Sequence, residues 1–325
     1  MDSLTHALVI AIVLSLAGRP DLIPYGVVGA VLIDVDVLFN GFSDRDPRLY
    51  IFTHGGFTHS FFGAFLVALF AAIPAFLLSN VVLIAPFGIA TLGAIMAGAL
   101  SHVMIDYLAY PGIPLLYPLS DKKRTLGILG GPSVFIMLAS VAYIASMAAG
   151  LARIDMPWLF IAFFALVVAL SAGSKTWMAF SLLLFAGANS SRNPSVRIPV
   201  KTKGRTIATI NPFKWAVIED TPDAYLYYQC DLLGRRSMAE TYAKYRGITP
   251  AEAGKNDGMP EVRRLRYHSY IVTVEMDDGS ITYRDPIREK GHIWYPPYYK
   301  KLCIPSPEHQ ASINRETQRQ LETHF

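Results

Sequence analysis

Cysteine and charged residues are both scarce in this chain, and each scarcity narrows the class of protein. Only Cys230 and Cys303 are present, so the sequence indicates no disulfide framework and offers no thiolate to a metal site in its first two thirds. Charged residues make up 17% of the 325 residues, whereas hydrophobic residues make up 52%. Together with a mean hydropathy of +0.34, this composition excludes an ordinary soluble protein.

A strong charge of one sign is also missing. The net charge is +4 and comes mainly from the last third of the chain, and no nucleic-acid partner is expected. Basic residues beside a membrane more often contact anionic lipid or set the topology. The amino terminus, MDSLTHALVI, lacks a basic segment, so no cleaved signal peptide is expected.

Long apolar runs fill the chain before about residue 190. A bilayer core of about 30 Å takes about 20 apolar residues of helix, so the runs predict between five and seven membrane spans. The seven candidate runs are Leu4–Ala17, Leu22–Phe39, Phe61–Leu78, Val82–Ile105, Val134–Leu151, Trp158–Ser171 and Thr176–Ala188. Because only SAGSK joins the last two runs, these are alternatively a half-span and a surface helix.

The last third of the chain is polar and has a different pattern. KWAVIED, AYLYYQCDL, YHSYIVTVEM and SITYRDPI are β-branched and aromatic runs that predict strands, and MDDGS predicts a hairpin turn. SMAETYAKY and PEVRRLRY predict short helices. The predicted fold is therefore an all-α multi-span membrane helix bundle over residues 1–189, followed by a small soluble α+β domain over residues 190–305. Residues 306–325 form a polar tail, either a surface helix or disordered.

The apolar part contains four histidines, and these fall with four aspartates into four clusters. The clusters are Asp2 with His6, Asp34 with Asp36, His54 with His59, and His102 with Asp106. An ionisable residue at membrane depth is energetically costly and is a functional-site hypothesis by default. Counting the spans from the amino terminus places all four clusters near the same side of the membrane.

The spacing within the clusters predicts that they converge. Each of the two Asp–His pairs is spaced by four residues, so its members share one helix face. Asp34 and Asp36 diverge on a regular helix, but both reach a common site where the helix frays. The Gly-Gly pair between His54 and His59 allows a bend that turns both imidazoles to one centre.

The eight side chains have the chemistry of a metal site. Imidazoles and carboxylates suit zinc, manganese or iron, and all eight residues are predicted metal ligands, with zinc favoured. Eight donors exceed what one tetrahedral zinc needs and suit two ions, an arrangement that activates water and holds a phosphoryl group. Asp36 and Asp106 are the candidates for a general base that accepts a proton from that water.

Four motifs in order, DSLTH, DVD, HGGFTHS and HVMIDYLAYPGIPLLYPL, resemble the YdjM-like family of predicted membrane-bound metal-dependent hydrolases. The resemblance is strong over residues 1–130 and looser around INPFKWAVIEDTPDAY. It implies metal-dependent hydrolysis without naming a substrate. Gly55 departs from the family, in which many members have Arg. If that Arg contacts an anionic substrate, this chain uses another cation, for which Arg45, Arg48 and Arg124 are the candidates. The helical His/Asp layout is also similar to zinc-dependent phospholipase C, as a fold-level analogy.

Two further features admit more than one interpretation. The basic segment DKKR, Asp121–Arg124, is either a topology determinant or a site where Lys123 and Arg124 bind a phosphate headgroup of the substrate. Thr58 and Ser60 are interpreted as capping groups or as partners of the ligands rather than as nucleophiles.

The sequence thus favours a multi-pass protein of the cell (plasma or inner) membrane. The first functional hypothesis is a metal-dependent hydrolase that acts on a lipid-linked ester or phosphoester, with membrane lipid as its partner. One alternative is a divalent-cation or proton transporter, because intramembrane Asp and His also line ion pathways. Another is a non-catalytic scaffold with a structural metal site. Orientation and oligomeric state stay open.

Overall fold

A computed structural model of the chain describes residues 2–78, 86–131, 133–189, 203–209, 211, 213–233, 235–277, 279–293 and 295–305. The side chains of residues 178–189, 203 and 204 lie outside that description. The chain divides into two compact units. The first contains Met1–Ile198, Thr206–Ala216 and Gln229–Arg236, and the second contains Pro199–Arg205, Val217–Tyr228 and Ser237–Phe325. The predicted tail over 306–325 and the predicted boundary at residue 190 fall outside the described residues.

Helices dominate the first unit, and the last three of the α-helices named below lie in the second. The α-helices are α1 (Ser3–Leu16), α2 (Ile23–Leu32), α3 (Asn40–Arg45), α4 (Phe61–Leu78), α5 (Ile89–Asp106), α6 (Val134–Ala148), α7 (Trp158–Asn189), α8 (Pro250–Gly254), α9 (Pro260–His268) and α10 (Pro286–Glu289). Four short 3-10 helices, all before α4, cover Pro20–Leu22, Ile33–Phe39, Pro47–Phe52 and Phe57–His59. The first and the second of these continue directly into α2 and α3.

Four helical segments of the described chain are long and apolar enough to cross a membrane. They are Pro20–Arg45, Phe61–Leu78, Ile89–Asp106 and Trp158–Trp177. Helices α1 and α6 are apolar but shorter, with 14 and 15 residues. A membrane helix bundle followed by a β-containing region is therefore confirmed, with four candidate spans where the sequence predicted five to seven.

The prediction of two separate helices around SAGSK is wrong, because α7 is a single helix of 32 residues. One glycine inside a helix costs only about 1 kcal/mol relative to alanine, which the neighbouring apolar residues outweigh. The hydroxyl of Ser174 donates to the carbonyl of Ser171 at 2.9 Å, so it is satisfied within the helix. Small polar residues were thus not sufficient to end this helix.

The described residues also form ten strands. They are β1 (Ala109–Tyr110), β2 (Leu129–Gly130), β3 (Lys203–Ala208), β4 (Lys214–Asp220), β5 (Ala224–Asp231), β6 (Glu240–Ala243), β7 (Tyr245–Arg246), β8 (Thr273–Asp277), β9 (Ser280–Arg284) and β10 (Lys301–Pro305). β1 and β2 form a parallel pair. The other strands form two four-stranded sheets, in the orders β3-β4-β5-β6 and β10-β9-β8-β7.

The predicted strands and hairpin of the polar region are largely confirmed. β4 coincides with KWAVIED, and β8 pairs antiparallel with β9 across the MDDGS turn. PEVRRLRY lies in helix α9 as predicted. The prediction of a helix for SMAETYAKY is wrong, because this segment contains strand β6, which pairs antiparallel with β5. Cross-strand pairing overrides the helix preference of its Ala and Glu residues.

Small residues bring the helices of the bundle together. Helix α4 buries alanines spaced by four, three and four residues, at Ala64, Ala68, Ala71 and Ala75. Helices α2 and α5 approach even more closely: a Cβ on Gly98 would lie 2.0 Å from the Gly26 carbonyl oxygen. Because lipid tails are as apolar as leucine, close contact between small residues is what holds such helices together.

Replacing Gly98 with alanine is expected to lower the stability of the bundle by about 1–3 kcal/mol, because the added methyl group forces α2 away from α5. Gly93 is the matched control on the same helix, since a Cβ there would meet no atom within 4 Å. Thermal unfolding of both variants in detergent tests this. A Gly98→Ala melting temperature equal to that of Gly93→Ala would contradict the close packing.

Candidate metal centre

Four elements of the first unit bring seven of the eight predicted ligands together. Helix α1 supplies His6, the 3-10 helix Ile33–Phe39 supplies two aspartates, the segment before α4 supplies two histidines, and the end of α5 supplies His102 and Asp106. Three overlapping groups of these residues could hold a metal ion. They are His6, His102 and Asp106; Asp34, His59 and His102; and Asp36, His54 and His59.

The two aspartates of DVD lie on a 3-10 helix rather than on a frayed α-helix. Side chains three residues apart eclipse one another in a 3-10 helix. Asp36 therefore shares a face with Ile33, and both are buried. Asp34 shares the next face with Val37, which is exposed, and the Asp34 side chain keeps 13% of its surface accessible. One aspartate is thus enclosed while the other borders the surface.

The Gly-Gly pair shapes the segment that carries His54 and His59. Gly55 has a φ of 74°, in the left-handed region that favours glycine. A Cβ on Gly56 would lie 2.0 Å from the carbonyl oxygen of Ile51, so only glycine fits there. The imidazoles of the two histidines lie edge to face, with ring centroids 5.3 Å apart. The tight turn thus delivers both imidazoles to one centre.

Four side-chain atoms, two imidazole nitrogens and two carboxylate oxygens, converge on one point of the centre. His59 Nε2 lies 3.2 Å from His102 Nε2 and 3.5 Å from Asp34 Oδ1, and His102 Nε2 lies 3.4 Å from the same oxygen. Asp106 Oδ2 lies 3.3 Å from His59 Nε2 and 3.4 Å from His102 Nε2. We call Asp34, His59, His102 and Asp106 the four-donor set. Its two imidazoles and Asp106 are buried.

The hydrogen-bond partners of Nδ1 determine which nitrogen carries the hydrogen in the rings of His59 and His102. His102 Nδ1 lies 2.7 Å from the Ala30 carbonyl oxygen, which can only accept. His59 Nδ1 lies 3.0 Å from Asp36 Oδ2 and 3.1 Å from Thr58 Oγ1, whose own hydrogen goes to Asp36. Both Nδ1 atoms are therefore donors, and both Nε2 atoms of the neutral rings present lone pairs to the centre.

The four-donor set consequently consists of acceptors alone. When both rings are neutral, two imidazole lone pairs face two carboxylate oxygens, and no hydrogen lies among these four atoms. Asp34 Oδ1 is buried and has no hydrogen-bond partner among the residues that the structure describes. Buried acceptors that converge in this way are costly unless a cation lies between them. The donor set therefore fits a bound metal ion.

His6 adds a further buried imidazole beside this set. Its ring stacks on that of His102, with centroids 3.6 Å apart and an angle of 15° between the planes. His6 Nε2 lies 3.3 Å from Asp106 Oδ1, the oxygen that does not face the four-donor set. Within the described part of the chain, neither ring nitrogen of His6 makes a hydrogen bond. One oxygen of Asp106 thus contacts His6, and the other belongs to the four-donor set.

Asp36 faces a different set of groups. Its Oδ1 lies 2.7 Å from His54 Nδ1, and its Oδ2 is approached by the Thr58 hydroxyl, the Gly55 amide at 3.3 Å and His59 Nδ1. All of these can act as donors. The contacts are those of a carboxylate that orients imidazoles, and its predicted role as a general base stays a prediction.

The remaining predicted site residues lie outside the three groups. Asp2 caps α1 instead: its two oxygens accept from the amide and the hydroxyl of Thr5, at 2.9 and 2.7 Å. Arg48 pairs with Asp46 at 2.8 Å. Arg124 is exposed, and its backbone pairs with that of Ile113. The roles of Asp2 as a ligand and of Lys123 and Arg124 in substrate binding stay predictions.

The loop that carries Lys123 and Arg124 is nevertheless attached to the histidine segment. The Phe61 amide donates to the Leu115 carbonyl at 3.1 Å. The Tyr50 hydroxyl donates to Asp121 at 2.5 Å, and the rings of Phe57 and Tyr117 lie edge to face. The two segments are therefore held side by side, as a headgroup site beside the centre requires.

Sequence reasoning missed two partners of the centre. The Ser3 hydroxyl donates to Asp34 Oδ2 at 2.5 Å, and the Ala30 carbonyl accepts from His102. A backbone carbonyl leaves no signal in a sequence. The glycines of α2 and α5 are an indirect signal, because they indicate helices close enough for a side chain of one to reach the backbone of the other.

Comparison with known proteins gives one match. The family model described as YdjM inner membrane protein matches residues 1–179, which is more than half of the 325-residue chain. The resemblance to the YdjM-like family drawn from the motifs of residues 1–130 is thereby confirmed and extended, whereas metal-dependent hydrolysis stays a prediction. A search of curated proteins and a search of solved structures each found no match.

Proposed function

The chain belongs to the YdjM inner membrane protein family, and on that premise we propose that it is a membrane metallohydrolase that cleaves a lipid-linked ester or phosphoester. Four helical segments able to span a membrane agree with this location. The observation that carries the proposal is the four-donor set, in which two imidazole nitrogens and two carboxylate oxygens lie 3.2–3.5 Å apart in the five measured pairs.

The distances within the four-donor set favour zinc as the metal. Zinc binds imidazole and carboxylate at about 2.0–2.1 Å, and a tetrahedron with that radius has edges of roughly 3.3–3.4 Å. Five edges of the four-donor set measure 3.2–3.5 Å. Manganese and iron accept the same ligand types at similar lengths and are the alternatives.

A hydrolase also needs a coordination position for water. Four protein donors fill a tetrahedron, but five-coordinate zinc, or six-coordinate manganese or iron, keeps at least one position for water. His6 Nε2 and Asp106 Oδ1 together offer ligands for a second ion, next to the ion of the four-donor set. We therefore propose two ions that share Asp106, one in the four-donor set and one beside His6.

A divalent ion held there would lower the pKa of a coordinated water toward about 7 and would polarise an ester or phosphoryl oxygen. The protein's own contribution is to fix the ligands. The Ala30 carbonyl holds His102, Asp36 and Thr58 hold His59, and Ser3 holds Asp34. Rigid outer partners of this kind maintain the geometry that the ion needs.

The surroundings of the centre suit a substrate that lies in the membrane. Asp34 and His54 are its partly exposed members, with 13% and 23% of their side-chain surface accessible. Val37 and Leu38, on the same 3-10 helix as Asp34, are exposed and apolar. The basic loop around Arg124 contacts the histidine segment, and its cations are proposed to bind an anionic headgroup.

A structural metal site in a non-catalytic scaffold is the second candidate. The specific observation in its favour is that four protein donors suffice to close a tetrahedral zinc site. Such a site binds zinc but leaves no position for water or substrate. The partial exposure of Asp34 argues for access, and hydrolysis assays separate the two functions.

Transport of a divalent cation or a proton is a third possibility. Within the described chain the seven ionisable residues form one cluster rather than a line along the spans, which does not favour a pathway. Metal uptake into proteoliposomes that is abolished by Asp34→Asn would support transport. Metal uptake equal to that of empty liposomes would exclude transport of a divalent cation.

Metal analysis of the detergent-purified protein, followed by a hydrolysis screen, tests the proposal. We expect close to two zinc ions per chain and hydrolysis of at least one phospholipid or phosphoester lipid. EDTA is expected to abolish the activity, and added zinc or manganese to restore it, because the ion supplies the activated water. Tightly bound zinc without hydrolysis of any lipid in the screen would instead favour the scaffold.

A further inference from the structure

We propose that His54 is the proton donor to the leaving group and not a metal ligand, with Asp36 as the carboxylate that positions it. This inference rests on the proposed function, to which it adds the residue that completes the reaction. It changes the role of two residues that the motif pattern predicts as ligands.

The distance between the two side chains is that of a hydrogen bond. His54 Nδ1 lies 2.7 Å from Asp36 Oδ1, within the range of about 2.7–2.9 Å for a charge-assisted N–H···O bond. Two ligands of a tetrahedral zinc ion would be roughly 3.3–3.4 Å apart. His54 Nδ1 is also 3.9 Å from Asp34 Oδ1, farther than any measured pair in the four-donor set. Asp36 therefore holds a hydrogen on Nδ1 of this ring.

Because Asp36 engages Nδ1, we assign proton donation to the opposite nitrogen, Nε2. The same division of labour occurs in Asp–His pairs of hydrolases, where the carboxylate fixes the ring and stabilises its positive form. The second oxygen of Asp36 approaches His59, a member of the four-donor set. One carboxylate thus sets the position of the proton donor relative to the centre.

His54 also occupies the right place for contact with a substrate. It is the most exposed of the four centre histidines, with 23% of its side chain accessible against at most 1% for His6, His59 and His102. Its neighbour Gly55 has open space where a side chain would project. His54 is therefore the accessible histidine of the centre, whereas the other three imidazoles are buried.

The proposed step is a balanced hydrolysis. The oxygen of one water forms a bond to the phosphorus or carbonyl carbon, and the bond from that atom to the leaving oxygen breaks. The leaving oxygen takes the proton of His54 Nε2 and departs as an alcohol. The attacking water gives its surplus proton to a carboxylate of the centre, and this proton returns to His54. One water is consumed, and every protein group ends as it began.

Metal content separates a proton donor from a ligand without an activity assay. His54→Ala and His54→Gln are expected to keep the wild-type ratio of zinc to protein after dialysis, whereas His59→Ala is expected to lose zinc. His54→Gln retains a side chain of similar length, and size-exclusion chromatography of both variants checks their folding. Loss of zinc from both folded His54 variants would overturn the assignment.

Two lipid-like probes that differ only in the leaving group test proton donation. Dodecyl 4-nitrophenyl phosphate releases nitrophenolate, which needs no proton, and dodecyl methyl phosphate releases methanol, which does. The removal of a general acid typically costs about 10²–10⁴-fold. His54→Ala is expected to slow cleavage of the methyl probe by roughly 10²-fold or more, and that of the nitrophenyl probe far less.

The two ideas fail in different ways. Equal rate losses on both probes in zinc-loaded His54→Ala would overturn proton donation and leave the hydrolase proposal standing. A wild-type protein that holds zinc but cleaves neither probe nor any lipid in the screen would overturn the hydrolase proposal, and with it the reaction role of His54.

Discussion

Replacing His102 with alanine is expected to leave the purified protein without stably bound metal. His102 belongs to the four-donor set, and its Nε2 lies 3.2–3.4 Å from each of the three other donor atoms. Zinc sites with four protein ligands bind with about 10–16 kcal/mol, so one ligand accounts for about 2.5–4 kcal/mol, or roughly 10²–10³-fold in affinity. The loss should be at the upper end, because His102 also stacks on His6.

Competition with a chromophoric zinc chelator measures this affinity in detergent. His292→Ala is a suitable control, because it removes an imidazole from the second unit that belongs to none of the three groups. Its zinc affinity should equal that of the wild type. A His102→Ala protein that folds and binds zinc as tightly as the control would mean that the four-donor set does not hold the metal.

Much of this centre could be predicted from the sequence, for a physical reason. Charged and imidazole side chains are costly inside apolar helices, so the few that occur there stand out without any knowledge of the fold. The spacing of four residues between His102 and Asp106 places both on one helix face, and the structure has both side chains at the centre. Composition alone likewise separated the helical membrane part from the strand-forming part.

The division of roles within the centre could not be predicted. In sequence, Asp34 and Asp36 are two similar aspartates two residues apart. Their difference arises because the chain forms a 3-10 helix there, which encloses Asp36 and leaves the Asp34 side chain partly accessible. Nor does a sequence show that a backbone carbonyl, that of Ala30, fixes the His102 ring. Such distinctions depend on angles and distances that only the folded chain defines.

Helix continuity was the other point at which local patterns were insufficient. Ser171, Gly173 and Ser174 looked like a connection between two helices, yet α7 passes through them. Serine hydroxyls bond to carbonyls of their own helix, which removes the need for water at such positions. A short polar stretch therefore marks a helix end only where the residues around it cannot continue the apolar surface.

Replacing Asp36 with asparagine is expected to weaken zinc binding by about 10–100-fold without changing the number of ions bound at saturation. The amide keeps the size of the carboxylate but offers only one acceptor oxygen, whereas Asp36 faces four donor groups with two. If the amide oxygen serves Thr58 and His59, the amide nitrogen faces His54 Nδ1 and displaces its hydrogen. The ring of His54 then loses the carboxylate that stabilises its protonated form.

The comparison of Asp36→Asn with His102→Ala distinguishes an orienting residue from a ligand. Asp46→Asn is the matched control, because it makes the same change at a partly exposed aspartate that pairs with Arg48 outside the three groups. Its zinc affinity should be unchanged. Zinc loss in Asp36→Asn as complete as in His102→Ala would make Asp36 a ligand. A graded loss that excess zinc reverses requires that Asp36 acts through His59, and the same carboxylate then also fixes His54 beside the centre.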